Sequence, residues 1–467
     1  MRAAPIIRTF TALLACAVLS TGLKAAGVSY PIRVSENGRH FVDGKGQPFF
    51  FHADTGWHLF EKLTREEVER YLENRRQKGF NTVQVQLLAE TREDATNALG
   101  AAPLLTKHDL STPNEDFFAH VDWVLRTAEA KGIQLVIAPA WLGSGKAGWK
   151  HILQTNGVEK CRAFGRYLGK RYQAFPNIVW LQGGDRDPGE FLPFVQALAT
   201  GLDETDPNHL HTAHAGSPKS AMDFYAGEPW LDINSTYTYS PNVTNVGRPQ
   251  FHVYAATLAD YQREPVKPTI LIESAYENER DAKPQWIRRQ AWWAALSGAA
   301  GHAFGNAPIY FFQPGWPQAL EATGSRDMAH LKKLFDEVAW HRLVPDQKHE
   351  FVTAGYGTFD GAATKSAAHD IGFDYVTASV AADGSLAVAY LPQGQEITID
   401  LSKLHSPVRA KWFDPTDGST KSIEGAPFEN GGRRQLAPAQ NNAAGDHDWV
   451  LVLEVGRGDL PRRAEPQ

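Results

Sequence analysis

Thr64-Arg65-Glu66-Glu67-Val68-Glu69-Arg70-Tyr71-Leu72 runs on through Lys78-Gly79-Phe80-Asn81 into Thr82-Val83-Gln84-Val85-Gln86-Leu87-Leu88, and this stretch decides the fold. The Thr64 hydroxyl is placed to cap a helix while Glu67 reaches back to it. Val68, Tyr71 and Leu72 make one apolar stripe, and Gly79 supplies the stop. A strand over 81–88 follows at once. Residues 117–132 repeat the scheme, with Val121, Val124, Leu125 and Ala128 on one face and Lys131-Gly132 leading into the next apolar run. Helix, Lys-Gly and strand in repetition predict stacked βα units around a parallel sheet.

Extended outward, the same grammar yields eight strands, at 49–54, 81–88, 134–141, 177–185, 210–216, 232–239, 269–276 and 301–306. Runs such as Leu135-Val136-Ile137-Ala138 and Ile178-Val179-Trp180-Leu181 lack strict alternation, as strands covered on both faces do. The predicted fold is α/β, a (β/α)₈ barrel over 30–345. Beyond Pro345 the pattern changes to strands at 375–380, 386–391, 396–401, 409–413 and 449–453, the first two joined through Ala382-Asp383-Gly384 as a hairpin. Residues 346–467 therefore read as a small antiparallel β-sandwich.

At the N-terminus, Arg2 and Arg8 precede an apolar stretch from Phe10 to Leu19 and the small residues Ala25, Ala26 and Gly27. This has the three regions of an export signal, so 1–26 is set apart from the fold and a periplasmic or secreted bacterial protein is expected. Leu13-Leu14-Ala15-Cys16 also matches a lipobox, in which Cys16 is acylated and becomes the first mature residue; the other reading is a chance cysteine in a signal core. The only later cysteine is Cys161, which excludes an intrachain disulfide in the mature chain and a cysteine-rich metal site. No later stretch reaches the roughly 18 apolar residues of a membrane span.

The 47 basic and 53 acidic residues form no long run of either sign, which leaves no electrostatic footprint for nucleic acid. Thirteen Trp, 14 Tyr and 24 Phe suit a cleft in which rings stack on sugars, although a large core consumes aromatics too. His349-Glu350 has Thr353 where a zinc-protease helix needs its second histidine, and neither a Gly-x-Ser-x-Gly elbow nor a phosphate-binding loop occurs.

Active sites of such barrels lie at the carboxyl ends of the strands, so the residues that end each apolar run are the candidates. They are Asp54 and Trp57, Gln86, Trp141, Asp185, His214, Tyr237 and Tyr239, Glu273, and Asn306. Hydrolysis of a glycosidic bond needs an acid for the leaving oxygen and a second carboxylate for the oxocarbenium-like centre, about 5–5.5 Å apart in a retaining enzyme. Asp185 and Glu273 are 88 residues apart, three βα units, and so end strands four and seven on one barrel face. Gly183-Gly184 is expected to let substrate approach the backbone.

Each candidate has a plainer alternative. Asp185 can be a turn or N-cap residue, with Asp187 as its rival, and Glu273 can be held by an Arg or Lys. Asp54 either holds substrate hydroxyls or pairs with a neighbour. His214 is a substrate contact or a satisfied core histidine, and Tyr237 or Tyr239 either hydrogen-bonds Glu273 or packs. Trp57, Trp141, Gln86 and Asn306 are substrate contacts or ordinary interior residues.

The sequence also resembles the apiosidase-like bacterial proteins with a DUF4038 barrel, which include glycoside hydrolase family 140. The resemblance is carried by His52-Ala53-Asp54-Thr55-Gly56-Trp57, Gly79-Phe80-Asn81, Trp180-Leu181-Gln182-Gly183-Gly184-Asp185, Glu273-Ser274-Ala275-Tyr276-Glu277 and Gly301-His302-Ala303-Phe304-Gly305. It implies that Asp185 is the acid/base and Glu273 the nucleophile of a retaining, exo-acting enzyme without cofactor or metal. It also implies release of D-apiose from plant pectin such as rhamnogalacturonan II, or from plant apiosides. The family glutamate more often sits in Gly-Glu-Pro than in Ile272-Glu273-Ser274, so another pentofuranosidase, such as an arabinofuranosidase, stays open. A carbohydrate-binding surface protein without catalysis is the alternative from another class. Trp412-Phe413-Asp414-Pro415 and Trp449-Val450-Leu451-Val452-Leu453 resemble the sandwich that commonly follows this barrel and is often labelled collagen-binding; no residue-level support for collagen adhesion is apparent.

Overall fold

The computed structural model describes residues 28–89, 96–239, 252–280, 282–361, 373–429 and 431–456. The export signal at 1–26 and the lipobox Cys16 lie outside the described residues.

Eight parallel strands form the barrel: β1 (Phe51–Thr55), β2 (Thr82–Gln86), β3 (Gln134–Ala138), β4 (Ile178–Gly183), β5 (Leu210–His214), β6 (Asn234–Tyr237), β7 (Thr269–Glu273) and β8 (Gly301–Phe304). Their order around the sheet is β5-β4-β3-β2-β1-β8-β7-β6. Between β5 and β6 the ring is joined by the Ile233 N–H on the His211 carbonyl (3.1 Å) and the Thr212 hydroxyl on the Ile233 carbonyl (3.0 Å).

The helices that follow the strands are α1 (Arg65–Gln77), α2 (Glu115–Ala130), α3 (Lys150–Tyr172), α4 (Leu192–Asp203), the single turn α5 (Met222–Tyr225), α6 (Val253–Tyr261), α7 (Pro284–Leu296) and α8 (Thr323–Glu337). Thr64 and Glu67 form the expected capping box on α1: the Glu67 N–H donates to Thr64 Oγ1 at 3.3 Å, and the Thr64 N–H to Glu67 Oε2 at 2.9 Å.

The unbroken apolar runs have two destinations. Val136, Ala138, Val179, Leu181, Ile270 and Ile272 fill the barrel interior. Leu135, Ile137, Ile178 and Trp180 point outward into the helix layer. With both faces covered, selection for a polar face is absent, and alternation disappears from the sequence. A small antiparallel sheet of Arg33–Val34, Phe41–Val42 and Pro48–Phe49, not foreseen from sequence, places Phe41 and Phe49 in the interior cluster.

The C-terminal region is a six-stranded antiparallel sheet facing a three-stranded one. The hairpin Thr377–Ala381/Leu386–Leu391 turns where expected, and Trp449–Val455 lies between Leu386–Leu391 and Val408–Phe413. Leu343–Pro345, assigned to the barrel by the sequence reading, pairs with Thr377–Ala381 of the six-stranded sheet. The sandwich packs on α7: Trp292 stacks on Tyr390 with ring centroids 6.0 Å apart, and the Trp293 indole N–H donates to the Tyr375 carbonyl at 3.0 Å. Arg288, fully buried, reaches from α7 to Asp448 (2.6 and 2.7 Å), Asp446 (2.5 Å) and, on α8, Asp327 (3.2 Å).

Candidate active site

Two carboxylates and one imidazole meet at the carboxyl end of the barrel. Asp185 follows β4, His214 ends β5 and Glu273 ends β7. One ligating atom from each lies within 4.8 Å of the others. Glu273 is 6% exposed, whereas Asp185 is half-buried.

His214 is the contact between the two acidic segments. Its Nε2 stands 3.2 Å from Glu273 Oε2, and its Nδ1 lies 3.3 Å from the backbone N–H of Asp185. The Asp185 backbone reaches that position with φ +43°, a left-handed conformation uncommon for a residue other than glycine. Trp141 Nε1 donates to Asp185 Oδ2 at 3.4 Å and the Tyr237 hydroxyl to Asp185 Oδ1 at 3.3 Å.

Burial pushes the Glu273 carboxyl up to about 7 against the His214 hydrogen bond, with the charge of Asp185 adding to the rise. Burial pulls His214 down, but the hydrogen bond and charge of Glu273, helped by Asp185, outweigh it and raise the imidazole above its ordinary value. Across this contact each group favours the charged form of the other.

The glycines before Asp185 serve a different purpose from the one expected. A Cβ on Gly184 (φ +135°) would lie 2.5 Å from the Trp141 indole, and one on Gly183 (φ +81°) 2.4 Å from the His214 carbonyl oxygen. They admit the chain's own indole and backbone.

Trp57, Trp141, Tyr237 and Tyr276 wall the carboxylates and are all at least 95% buried. Trp57 and Trp141 are 4.8 Å apart by ring centroid, and His214 lies 4.8 Å from Trp141 and 4.4 Å from Tyr237. The wall continues through Tyr239 (6.4 Å from Tyr237), Tyr276 (6.1 Å from Tyr239), Tyr310 (5.1 Å) and Phe311 (4.4 Å) to His58 (4.3 Å), which adjoins Trp57 in sequence. The rings thus circle the mouth.

The other candidates lie as follows. Asp54 is turned away to the helix layer, accepting the Tyr71 hydroxyl at 2.7 Å and Arg75 Nη1 at 3.3 Å. Asn306 donates to Glu277 at 3.0 Å, and Glu277 also takes the Gly324 N–H at the start of α8 (2.7 Å), so this pair fastens β7 and β8 to α8. Gln86 is buried at the end of β2, where its N–H donates to the Trp57 carbonyl at 2.8 Å. Asp187, the rival of Asp185, is exposed and ion-paired with Lys219. Tyr237 meets Asp185 instead of Glu273, and Tyr239 hydrogen-bonds Glu279. The tyrosine that draws the Glu273 carboxyl downward is Tyr276, three residues beyond it and absent from the sequence-derived candidates.

One imidazole and two carboxylates in this arrangement can either ligate a cation or carry out paired acid and nucleophile chemistry. Comparison with known proteins narrows the choice. The apiosidase-like catalytic domain family matches over residues 35–342, and the family described as "Putative collagen-binding domain of a collagenase" matches over residues 366–454. The chain belongs to the apiosidase-like catalytic domain family and is a glycoside hydrolase. Among solved structures, a glycoside hydrolase family 5 protein from Bacteroides vulgatus ATCC 8482 is similar at 24% identity and TM-score 0.77, covering 93% of this chain and 94% of that one. Another, described only as a glycoside hydrolase, is similar at 26% identity and TM-score 0.78, with coverage of 93% and 98%. No curated protein matches.

Proposed function

We propose that the protein is a retaining, exo-acting glycosidase in which Glu273 is the nucleophile and Asp185 the acid/base. The observation that carries this reading is the approach of the two carboxylates to within 4.8 Å. An approach this close is compatible with the roughly 5–5.5 Å separation of the carboxyl groups in retaining enzymes.

Burial separates the roles. Glu273 lies beneath the aromatic wall, where the anomeric carbon of a single enclosed sugar would sit; half-buried Asp185 is nearer the mouth, through which leaving group and water pass. Glu273 attacks the anomeric carbon, the glycosidic bond breaks toward oxygen, and that oxygen takes the proton of Asp185. The Asp185 carboxylate then accepts a proton from water as the water oxygen attacks the same carbon and Glu273 departs. The His214 hydrogen bond opposes the upward push of burial on Glu273 and favours its carboxylate form.

Family membership supports D-apiose, on plant pectin or on plant apiosides, as the released sugar. Incubation with pectic oligosaccharides and with aryl pentofuranosides tests this choice. Free apiose is the expected product, and arabinose alone would transfer the assignment to an arabinofuranosidase. Glycan binding without hydrolysis under broad screening would remove the catalytic reading altogether.

A further inference from the structure

We propose that Tyr239, Tyr310 and Phe311 form a leaving-group subsite that stacks on the flat apolar face of a ring, a deduction resting on the glycosidase reading above. The four inner rings of the wall are buried, so a sugar held against Glu273 is enclosed, and whatever it is bonded to must extend outward through the mouth. The three rings named here are the members of the wall from β6 to β8 that keep partly exposed surface.

These rings are fixed before any ligand arrives. Tyr239 lies parallel to Tyr237 (interplanar angle 4°) with the Arg280 guanidinium over its ring, 5.3 Å from the centroid, Tyr310 is set between Tyr276 and Phe311, and Phe311 stacks on His58 at 24°. A rigid aromatic surface of this kind gains contact energy with little ordering cost. Its partners are rings that present C–H or π faces, which describes both a pyranosyl residue and a phenolic aglycone. The inner rings face the sugar held at Glu273, and this outer surface selects what the sugar is attached to.

The test compares wild type, Tyr310→Ala and Phe311→Leu on methyl, benzyl and pyranosyl apiofuranosides. Phe311→Leu keeps most of the volume and removes the flat face, and melting curves check that each variant folds. Wild-type-to-variant ratios of kcat/KM cancel the differing reactivity of the leaving groups. The ratio is expected to be about five- to tenfold larger for benzyl and pyranosyl substrates than for methyl, mostly through KM. An increase confined to the benzyl substrate assigns the subsite to aryl aglycones, and one confined to the pyranosyl substrate assigns it to glycans. Equal ratios for all three substrates would overturn the subsite. If wild type turns over none of them, the apiose assignment fails, and the same ratios are then read on the corresponding arabinofuranosides.

Discussion

His214 Nε2 lies 3.2 Å from Glu273 Oε2, inside a barrel mouth where neither side chain is more than 7% exposed. This contact makes the ionisation of the proposed nucleophile depend on a neighbouring imidazole.

The pH profile should report that dependence. Glu273 titrates at about 7, and the protonated form cannot attack, so kcat/KM should fall as pH drops through neutrality. His214 lowers the carboxyl, so His214→Ala should move this acidic limb to higher pH by about one unit, losing more activity at pH 6 than at pH 8. Rate profiles from pH 4 to 9 check it; a limb that stays in place would deny His214 this role.

Stability should follow the opposite requirement. A carboxyl at about 7 in the fold, raised from an ordinary 4.5, binds its proton more tightly folded than unfolded. Its contribution is complete below about pH 4.5 and is lost as pH rises through 7, at a cost of roughly 3 kcal/mol. Glu273→Gln should therefore melt a few degrees above wild type at pH 8 and level with it near pH 4.5, as read by calorimetry.

Arg288 should matter as much to folding as any core residue. It is a buried cation ion-paired with Asp448 and Asp327, and Asp448 also accepts the Tyr390 hydroxyl at 2.9 Å. Arg288→Met should destabilise the protein by about 3–5 kcal/mol, because it strands buried carboxylates. Denaturant unfolding measures this. The sandwich is thus a structural partner of the barrel, and its removal should yield insoluble or unfolded protein.

Gly184→Ala should reduce kcat/KM by tenfold or more. The added methyl would press into Trp141, 2.5 Å away, and displace the indole that donates to Asp185. Steady-state kinetics on a natural substrate, with circular dichroism to establish folding, checks the effect.

Much of this architecture was legible because burial on two faces writes itself as continuous apolar runs, and a polar residue ending such a run marks the barrel mouth. Asp185, His214 and Glu273, which the structure brings within 4.8 Å of one another, end such runs. Position at a strand end does not reveal direction, so Asp54 and Asn306 looked equivalent to them, although their partners are Arg75 and Glu277. A signal existed for Asp54: Tyr71 and Arg75, four apart, share the inward face of α1. Tyr276 was hidden because the turn after β7 folds it back beside Glu273, a geometry that strand periodicity does not encode. The two-residue strands of the N-terminal sheet are too short for any period to show.

The most direct test is to trap the reaction with a 2-deoxy-2-fluoro pentofuranoside bearing an activated leaving group and to map the labelled peptide by mass spectrometry. One sugar bonded to Glu273 is the expected result. A label on Asp185, or hydrolysis with inversion and no label on any carboxylate, would contradict it.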